Sequence, residues 1–348
     1  MRVLQLGPYP PPHGGVQSNL VAIREYLRSQ GDGAPVINIT RHRKPEADEV
    51  YYPESAAALA RLVFSLPYDI LHLHLGGNLT NRLLALSSVC CSVPGRKTVL
   101  TFHSGGYPSS PEGRSARPAT LRGIVLRRFD RLIGVNQEIV DVFHRFGVSP
   151  AHTRFIYPHA LPGTGDASAL PEAIEQFFGR HSPVLATVGL LEPEYDLPLQ
   201  IRAIGELRKS YPGAGLIIVG AGSLHSELAQ LIAGAADSEH ILLYGDLAHQ
   251  HTLQVLRRCD AFLRTTLYDG DSVSVREAIH IGTPVVASDN GMRPDGVTLF
   301  RIGDLASLLE STDRALQTGK TKSNEIAADN RNVVAVYELY RELLGHAR

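Results

Sequence analysis

Residues 264–288 read RTTLYDGDSVSVREAIHIGTPVVAS, and this stretch decides how the second half of the chain folds. It predicts a helix that begins between Ser272 and Ser274, because a serine hydroxyl accepts hydrogen bonds from the unpaired N–H groups of a first turn. The helix is expected to end at Gly282, and Pro284 prevents any continuation. The apolar run that follows predicts a short buried strand. The segment is therefore an acidic glycine turn, a short helix and a strand.

Two carboxylates, Asp269 and Glu277, lie eight residues apart on either side of the predicted helix start. Between them the helix offers free N–H groups that carry about half a positive charge from the helix dipole. Donors flanked by carboxylates suit a ligand that is part phosphate and part polyol. Two purely structural interpretations compete. Ser274-x-x-Glu277 also fits a capping box, and Asp269 also fits an ordinary turn.

The segment resembles the donor-binding signature of the family-4 retaining glycosyltransferases. Members carry two glutamates eight residues apart, ahead of a Gly-Thr-Pro-Val-Val-Ala-Ser strand. The resemblance implies that Asp269 holds hydroxyls of the donor sugar and that Glu277 holds the ribose of the nucleotide. An aspartate in place of the usual first glutamate shortens the reach by roughly 1.5 Å, which favours a different or shifted sugar. The donor-binding residues that the resemblance implies in this segment, besides Asp269, are Gly270, Asp271, Ser272, Val273, Ser274, Arg276 and Glu277.

The composition indicates an ordinary globular protein. The chain has 348 residues, of which 43% are hydrophobic and 20% charged, enough for two domains with their own cores. The apolar stretches are too short to span a membrane. Residues 1–6 already read as a core strand, which leaves no room for a signal peptide. The three cysteines form no disulfide framework or metal spacing, so a cytoplasmic location is expected.

The net charge of −1 hides an asymmetry between the halves. Residues 1–160 hold 18 Lys and Arg against 11 Asp and Glu, whereas residues 161–348 hold 16 against 24. We expect the basic half to favour an anionic partner and the two halves to attract each other across a cleft.

Strand and helix patterns alternate along both halves, which predicts parallel sheets covered by helices. In the first half, strands are expected at 3–7, 36–39, 69–74, 98–102 and 131–135, with helices at 17–30 and 56–66. In the second half, strands are expected at 184–189, 215–220, 241–245, 260–264 and 285–288, with helices at 199–211, 224–233 and 250–258. A broad apolar face predicts a last helix at 330–344. The run 161–169, rich in Gly, Pro, Ser and Ala, is the predicted linker.

This α/β organisation resembles the glycosyltransferase B fold, two tandem Rossmann-like domains facing a cleft. The resemblance implies an acceptor-side domain at 1–162, a nucleotide-sugar domain at 163–328 and a C-terminal helix at 329–348 that packs back on the first domain. Ligands of such sheets bind at the carboxyl ends of the strands.

Two features of the first half, a glycine pair and a histidine, follow predicted strand ends, where ligands of such sheets bind. Gly14 and Gly15 follow the first strand and open the first helix, so the backbone can approach an anion closely. In the family a glycine pair here lies near the donor phosphates. A simple surface turn is the alternative. His103 follows a strand end and resembles the histidine that many members place beside the transferring sugar. His72 and His74 alternate with leucines and are interpreted as structural.

Residues 189–196 depart from the family pattern. The usual Arg and Lys that clamp the diphosphate are replaced by Leu190 and Tyr195, after the donor-side Gly189. Two charge-assisted hydrogen bonds are worth about 3–6 kcal/mol together, or some two to four decades of affinity or rate. Arg264 and Arg276 are the candidate replacements.

The segment between Arg114 and Arg131 is rich in arginine, with apolar residues at helical spacing. It predicts an amphipathic helix, either lying on an anionic membrane surface or packed on the core with one face in solvent. Contact with a membrane would suit a lipid-linked acceptor.

Together these features predict a metal-independent retaining glycosyltransferase of the cytoplasm, which would act at the inner face of the membrane if the arginine-rich segment lies on a lipid surface. It would use a nucleotide-diphosphate sugar, no further cofactor and a saccharide or lipid-linked acceptor, with His103 and Asp269 as catalytic residues. No nucleic-acid partner is expected, and no His-Glu-x-x-His or cysteine cluster suggests a metal. Two alternatives stay open: a degenerate, non-catalytic binding protein of the same fold, and a hydrolysing sugar-nucleotide epimerase.

Overall fold

The structure is a computed structural model, and it describes residues 1–11, 13–40, 48–160, 169–268, 272–320 and 329–345. These residues divide into two compact units. The first holds the described residues within Met1–Pro11, Gly15–Ala160 and Asn330–Arg348, and the second holds those within Pro12–Gly14 and Leu161–Asp329. Of the predicted linker at 161–169, only Ala169 lies inside the described residues.

The described part of the first unit is built on a seven-stranded parallel sheet. Its strands are β1 (Val3–Gly7), β2 (Val36–Asn38), β3 (Val50–Tyr51), β4 (Ile70–Leu75), β5 (Lys97–Phe102), β6 (Arg131–Gly134) and β7 (Thr153–Phe155). They follow the order β3-β2-β1-β4-β5-β6-β7. The order reverses between β1 and β4, so the carboxyl ends of these two strands flank a crevice of the kind that binds ligands in open α/β sheets.

Helices cover both faces of this sheet. They are α1 (Gly15–Ser29), α2 (Ala56–Ser65), α3 (Asn81–Cys90), α4 (Pro111–Arg114), α5 (Leu121–Leu126) and α6 (Gln137–Arg145). One hydrophobic cluster includes Leu71, Leu73 and Leu100, and a second includes Ile70, Val99 and Ile133. Successive strand residues point to opposite faces, so the two clusters lie on opposite sides of the sheet.

The described part of the second unit repeats the plan with six parallel strands. The strands are β8 (Val184–Val188), β9 (Gly215–Val219), β10 (Ile241–Gly245), β11 (Ala261–Arg264), β12 (Val285–Ser288) and β13 (Val297–Phe300), in the order β10-β9-β8-β11-β12-β13. The helices are α7 (Glu172–Arg180), α8 (Leu197–Leu207), α9 (His225–Ala233), α10 (His249–Arg258), α11 (Val273–Ile281) and α12 (Leu305–Thr318). Here the order reverses between β8 and β11. The predicted α/β class with two Rossmann-like sheets is confirmed.

The last helix, α13 (Arg331–Leu343), belongs to the first unit. Val336, Leu339 and Tyr340 are buried in the cluster that also contains Ile23 of α1. The Tyr340 hydroxyl lies 2.5 Å from Nδ1 of His72 on β4. The apolar stripe of α13 is therefore covered by the first sheet and by α1.

Some elements differ from the sequence prediction for local reasons. Helix α8 begins at Leu197, two residues before the predicted start, because Pro198 suits a first helical turn. The patterns above do not predict α7 or α12. Pro171 at the N-cap of α7 gives no side-chain cap, whereas the Asp304 side chain caps α12 by accepting from Ser307 N. The sequence therefore contains a start signal for α12, the aspartate at position 304, but none of this kind for α7.

The prediction of one amphipathic helix between Arg114 and Arg131 is wrong. The segment forms the short helices α4 and α5 instead, because Pro118 cannot sit inside a helix. A Cβ on Gly123 would lie 2.7 Å from the carbonyl oxygen of Pro118 and 2.8 Å from that of Phe146, so only glycine permits this packing. Arg127 Nη1 donates to the same two carbonyls, at 2.7 and 2.9 Å. The basic segment is therefore a folded turn anchored to the unit.

Candidate functional site

The short helix α11 begins where the sequence predicts it. Ser272 is its N-cap, but its side chain makes no capping hydrogen bond, and its hydroxyl lies 3.3 Å from that of Ser274. The helix ends at Gly282, whose φ of 83° is the left-handed conformation favoured at helix ends. Asp269, Gly270 and Asp271 lie outside the described residues, so the structure does not place the predicted sugar-holding carboxylate.

Glu277 does not form the capping box that competes with a functional role. Ser274 lies inside α11, and Glu277 Oε1 is 2.6 Å from Nε2 of His249 at the start of α10. Glu277 is 3% exposed and the His249 side chain 39% exposed. A buried carboxylate needs a partner, and His249 provides it. The sequence contains no pattern that predicts a contact between positions 249 and 277. His249 is thus a site residue that sequence reasoning misses.

Arg264 lies at the point where the second sheet reverses its strand order. It ends β11 and is 6% exposed, and its Nη1 donates to the carbonyl oxygen of Val188, which ends β8, at 3.1 Å. Ser274 Oγ donates to the same carbonyl at 3.4 Å. The shared acceptor brings the Arg264 guanidinium beside the first turn of α11. A buried cation and a helix start therefore meet at the carboxyl end of the sheet, where anions bind.

Tyr195 lies against this arginine. The guanidinium carbon of Arg264 is 4.6 Å from the centre of the Tyr195 ring, a cation–π contact. Both groups cover Gly189, because a Cβ there would collide with the Tyr195 ring and lie 2.9 Å from Arg264 Nη1. Leu190, the other departure from the family pattern, is 37% exposed. The structure thus joins Gly189, Tyr195 and Arg264 in one cluster.

A second arginine near this edge is also missed by sequence reasoning. Arg293 Nη2 donates to Thr266 Oγ1 at 2.6 Å and to Ser288 Oγ at 3.0 Å, and Nε donates to Ser288 O at 3.0 Å. These contacts fix the residues that follow β11 and β12. The remaining candidate cation, Arg276, is half-buried in α11, and its backbone N–H donates to Ser272 O at 3.1 Å.

Gly15 is the first residue of α1 and is exposed, and Gly14 precedes it in a half-buried position. Helix α1 therefore starts two residues before the predicted start. His103 follows β5, and its backbone N–H donates to Leu75 O, the last residue of β4, at 2.7 Å. It lies on the carboxyl edge of the first sheet, as the sequence predicts, and its side chain is half-buried.

His103 extends a line of two buried imidazoles, those of His72 and His74. Its Nε2 lies 3.4 Å from Nδ1 of His74, and the centre of the His74 ring is 4.0 Å from that of His72, with the two planes tilted by 35°. His72 and His74 are fully buried, which agrees with their predicted structural role. Burial lowers the pKa of His72 and of His103 to about 3, and lowers that of His74 well below its ordinary value. All three rings are therefore neutral at neutral pH.

None of the helices in the described residues is long and apolar enough to cross a bilayer. Within the same ranges no group of three or more His, Cys, Asp or Glu side chains has the arrangement of a metal site.

Comparison with known proteins connects both units to one kind of enzyme. The family model described as "Glycosyltransferase Family 4" matches residues 14–159, and that described as "Glycosyl transferases group 1" matches residues 172–306. The phosphatidyl-myo-inositol mannosyltransferase of Propionibacterium freudenreichii subsp. shermanii is 25% identical over 397 residues, covering 96% of each chain. A GDP-mannose-dependent alpha-(1-6)-phosphatidylinositol monomannoside mannosyltransferase of Mycolicibacterium smegmatis is 24% identical, covering 94% of this chain and 89% of the relative.

Solved structures share the fold at lower identity. Anabaena Alr3699/HepE in complex with UDP-glucose is 19% identical with a TM-score of 0.64, and the match covers 99% of this chain and 100% of that one. Sucrose-phosphate synthase (tll1590) from Thermosynechococcus elongatus is 15% identical with a TM-score of 0.68, covering 100% of both chains. At these identities the likeness shows the architecture alone.

Proposed function

Because the chain belongs to the family-4 glycosyltransferases of the glycosyltransferase B fold, we propose that it transfers a sugar, with retention and without a metal, from a nucleotide-diphosphate donor. The acceptor is a saccharide or a lipid-linked acceptor. The observation that carries the proposal is the meeting of buried Arg264 with the first turn of α11 at the end of β8. A cation beside free N–H donors stabilises the charge that grows on a leaving diphosphate.

Within this proposal Asp269 orients the donor sugar and Glu277 binds the ribose hydroxyls. Glu277 Oε1 is engaged by His249, so Oε2 is the oxygen that accepts from the ribose. The C1–O bond to the diphosphate breaks and a C1–O bond to the acceptor forms on the same face. The acceptor proton passes to the leaving diphosphate, so the reaction needs no separate general base.

Arg264 takes over part of the clamp that the family builds from Arg and Lys. Tyr195, at the position of the usual Lys, holds the Arg264 guanidinium by its ring face. Arginine suits this task because its planar guanidinium binds phosphate oxygens through two donors. Gly14, Gly15 and Arg276 complete the proposed donor-binding set.

The names of the relatives favour a lipid-linked acceptor, since two of them act on phosphatidylinositol derivatives. Leu121 and Ile124 are 58% and 49% exposed on α5, and four neighbouring arginines are also exposed: Arg114, Arg117, Arg127 and Arg128. Exposed apolar side chains with exposed cations nearby in the chain suit the surface of an anionic membrane. The protein would then work in the cytoplasm, at the inner face of the membrane.

The test is sugar transfer with a panel of UDP-, GDP- and ADP-linked sugars, in the presence and absence of a chelator. Asp269→Ala and Glu277→Ala are expected to lower turnover at least 100-fold, because each removes hydrogen bonds to the donor. Glu227→Ala, at an exposed carboxylate of α9, is the matched control. Wild-type turnover in both site variants would show that the donor site is misassigned, and dependence on a divalent ion would refute the metal-free mechanism.

A second candidate, a non-catalytic binding protein, is favoured by Leu190 and Tyr195 standing at the clamp positions. It predicts that calorimetry detects donor binding while no donor is consumed with any acceptor. Release of free nucleotide without an acceptor would instead support the epimerase alternative.

A further inference from the structure

A chain of hydrogen bonds links buried Gln5 to two histidines of the first sheet, His74 and His103. His74 Nε2 lies 2.6 Å from Gln5 Oε1 on β1, and His74 Nδ1 faces His103 Nε2. Gln5 and His74 are both fully buried. We call these three residues the Gln5–His74–His103 array. It crosses from β1 to β4, the two strands between which the first sheet reverses its order, and ends at the carboxyl edge.

The array fixes where each proton lies. Gln5 Oε1 only accepts, so His74 Nε2 must carry a hydrogen and donate it. A neutral imidazole has one ring hydrogen, so His74 Nδ1 is a bare acceptor. His103 Nε2 must then carry the hydrogen that points at it. His103 Nδ1 is left as an acceptor, and it has no hydrogen-bond partner among the residues that the structure describes.

We propose that Gln5 and His74 are positioning residues that hold His103 in the neutral Nε2–H tautomer, so that His103 Nδ1 accepts a hydrogen bond from a hydroxyl of the bound sugar. This rests on the proposed function. The low pKa of all three rings agrees with neutral imidazoles throughout the array.

The surroundings hold the His74 ring in place. The His72 ring packs against it, with centroids 4.0 Å apart and planes tilted by 35°, and is itself tied to Tyr340 Oη at 2.5 Å and to Thr101 Oγ1 at 2.7 Å. A Cβ on Gly7 would lie 2.9 Å from His74 Cβ, so the glycine that ends β1 makes room for the first carbon of this side chain.

In the described part of the chain, the unpaired amide nitrogen of Gln5 indicates that its hydrogen bond to His74 is what the residue is there to make. Its Nε2 is buried and has no hydrogen-bond partner among the described residues, and an unmade hydrogen bond in a core costs free energy. Leucine at this position would avoid that cost. A glutamine is expected there only if its Oε1, the acceptor for His74, is needed.

The experiment uses the full chain labelled with ¹⁵N-histidine, with two-bond ¹H–¹⁵N spectra that distinguish the imidazole tautomers. Signals of His74 and His103 are assigned by their loss in His74→Phe and His103→Asn. Both rings are expected as Nε2–H. In Gln5→Leu the acceptor for His74 is gone, so both rings are expected to change to Nδ1–H. Thr101→Val is the matched control, because it removes a bond to His72 and leaves both tautomers unchanged.

A transfer assay supplies the second readout. Gln5→Leu is expected to lower kcat/KM about tenfold, as the loss of one hydrogen bond to the sugar would. Thr101→Val should stay within about twofold of the wild type. Equal losses in the two variants, or full activity in Gln5→Leu, would overturn the proposal.

The spectra test the tautomers of His74 and His103 whether or not the protein transfers sugar. Nδ1–H on His103 in the wild type, or unchanged tautomers in Gln5→Leu, would overturn the array. If the wild type transferred no sugar from any donor, the proposed function would fail while the spectra still decided the tautomers.

Discussion

At the scale of single residues, Arg264 decides how the second unit holds a diphosphate. It is the buried cation at the strand reversal, and Val188 O orients it. We expect Arg264→Met to weaken nucleoside diphosphate binding about 10- to 100-fold, because hydrogen bonds to a charged group are lost. Binding of the parent nucleoside, which lacks phosphate, should be unchanged. Calorimetry with both ligands measures the difference.

The same measurement separates the two candidate arginines. Arg276→Met is expected to have a smaller effect than Arg264→Met, and Arg301→Met, at a side chain 75% exposed in a pair with Asp304, should have none. If Arg276→Met lost the diphosphate and Arg264→Met kept it, Arg276 would be the replacement for the family clamp.

The sequence predicts residues of this site but not the contacts between them. It indicates Arg264 and marks Tyr195 as a departure from the family pattern. It does not predict that the two stack, because a distance of 69 positions along the chain carries no periodic signal. The Gln5–His74 pair is separated by the same number of positions. Pairings of this kind depend on strand order, which only the folded sheet sets.

At the scale of elements, α10 and α11 are joined through His249 and Glu277. The hydrogen bond to Oε1 orients the carboxylate and leaves Oε2 for the ribose. We therefore expect His249→Ala to weaken nucleoside diphosphate binding about three- to tenfold, as the loss of one hydrogen bond would. Calorimetry measures this, with His225→Ala at an exposed position of α9 as the control. Tighter binding in His249→Ala would mean that the histidine competes with the ribose.

The end of α11 gives a stability test. Gly282 has a φ of 83°, which disfavours any side chain, so Gly282→Ala should lower the free energy of unfolding of the second unit by about 1 kcal/mol. Gly179, in α7, has open space around it, so Gly179→Ala should raise that free energy by up to about 1 kcal/mol. Urea unfolding measures both. A shift in the same direction for both variants would contradict the assignment of Gly282 as a required left-handed cap.

Element prediction succeeds where one local signal dominates. Helix α11 has a serine start and a Gly-Thr-Pro end, and β12 opens with the apolar run Val-Val-Ala, so both lie where the sequence predicts them. The segment around Gly123 fails, because the spacing of its apolar residues suggests a helix that Pro118 and tight packing prevent. In this segment, the steric limits at Pro118 and Gly123 determine the local structure, and the helical spacing of the apolar residues does not.

At the scale of the whole molecule, the buried histidines make the two units respond differently to acid. Burial lowers the pKa of His72 and His103 to about 3, against an ordinary value of 6.5, and lowers that of His74 in the same direction. Between pH 6.5 and 3 the unfolded chain binds protons that the folded unit does not. Stability therefore falls as the pH falls below 6.5, by up to about 1.4 kcal/mol per pH unit for each histidine.

In the second unit, burial also lowers the pKa of His181. Urea unfolding at pH 7, 6 and 5, followed by hydrogen exchange of peptides from β4 and β9, reports the units separately. We expect β4 to lose protection more steeply than β9 on acidification, and His72→Gln to reduce the β4 slope by about a third, since one of three equivalent titrating groups is removed. His225→Asn, at an exposed position, should leave both slopes unchanged. Equal slopes in β4 and β9 would show that the imidazoles of the first sheet are protonated before it unfolds.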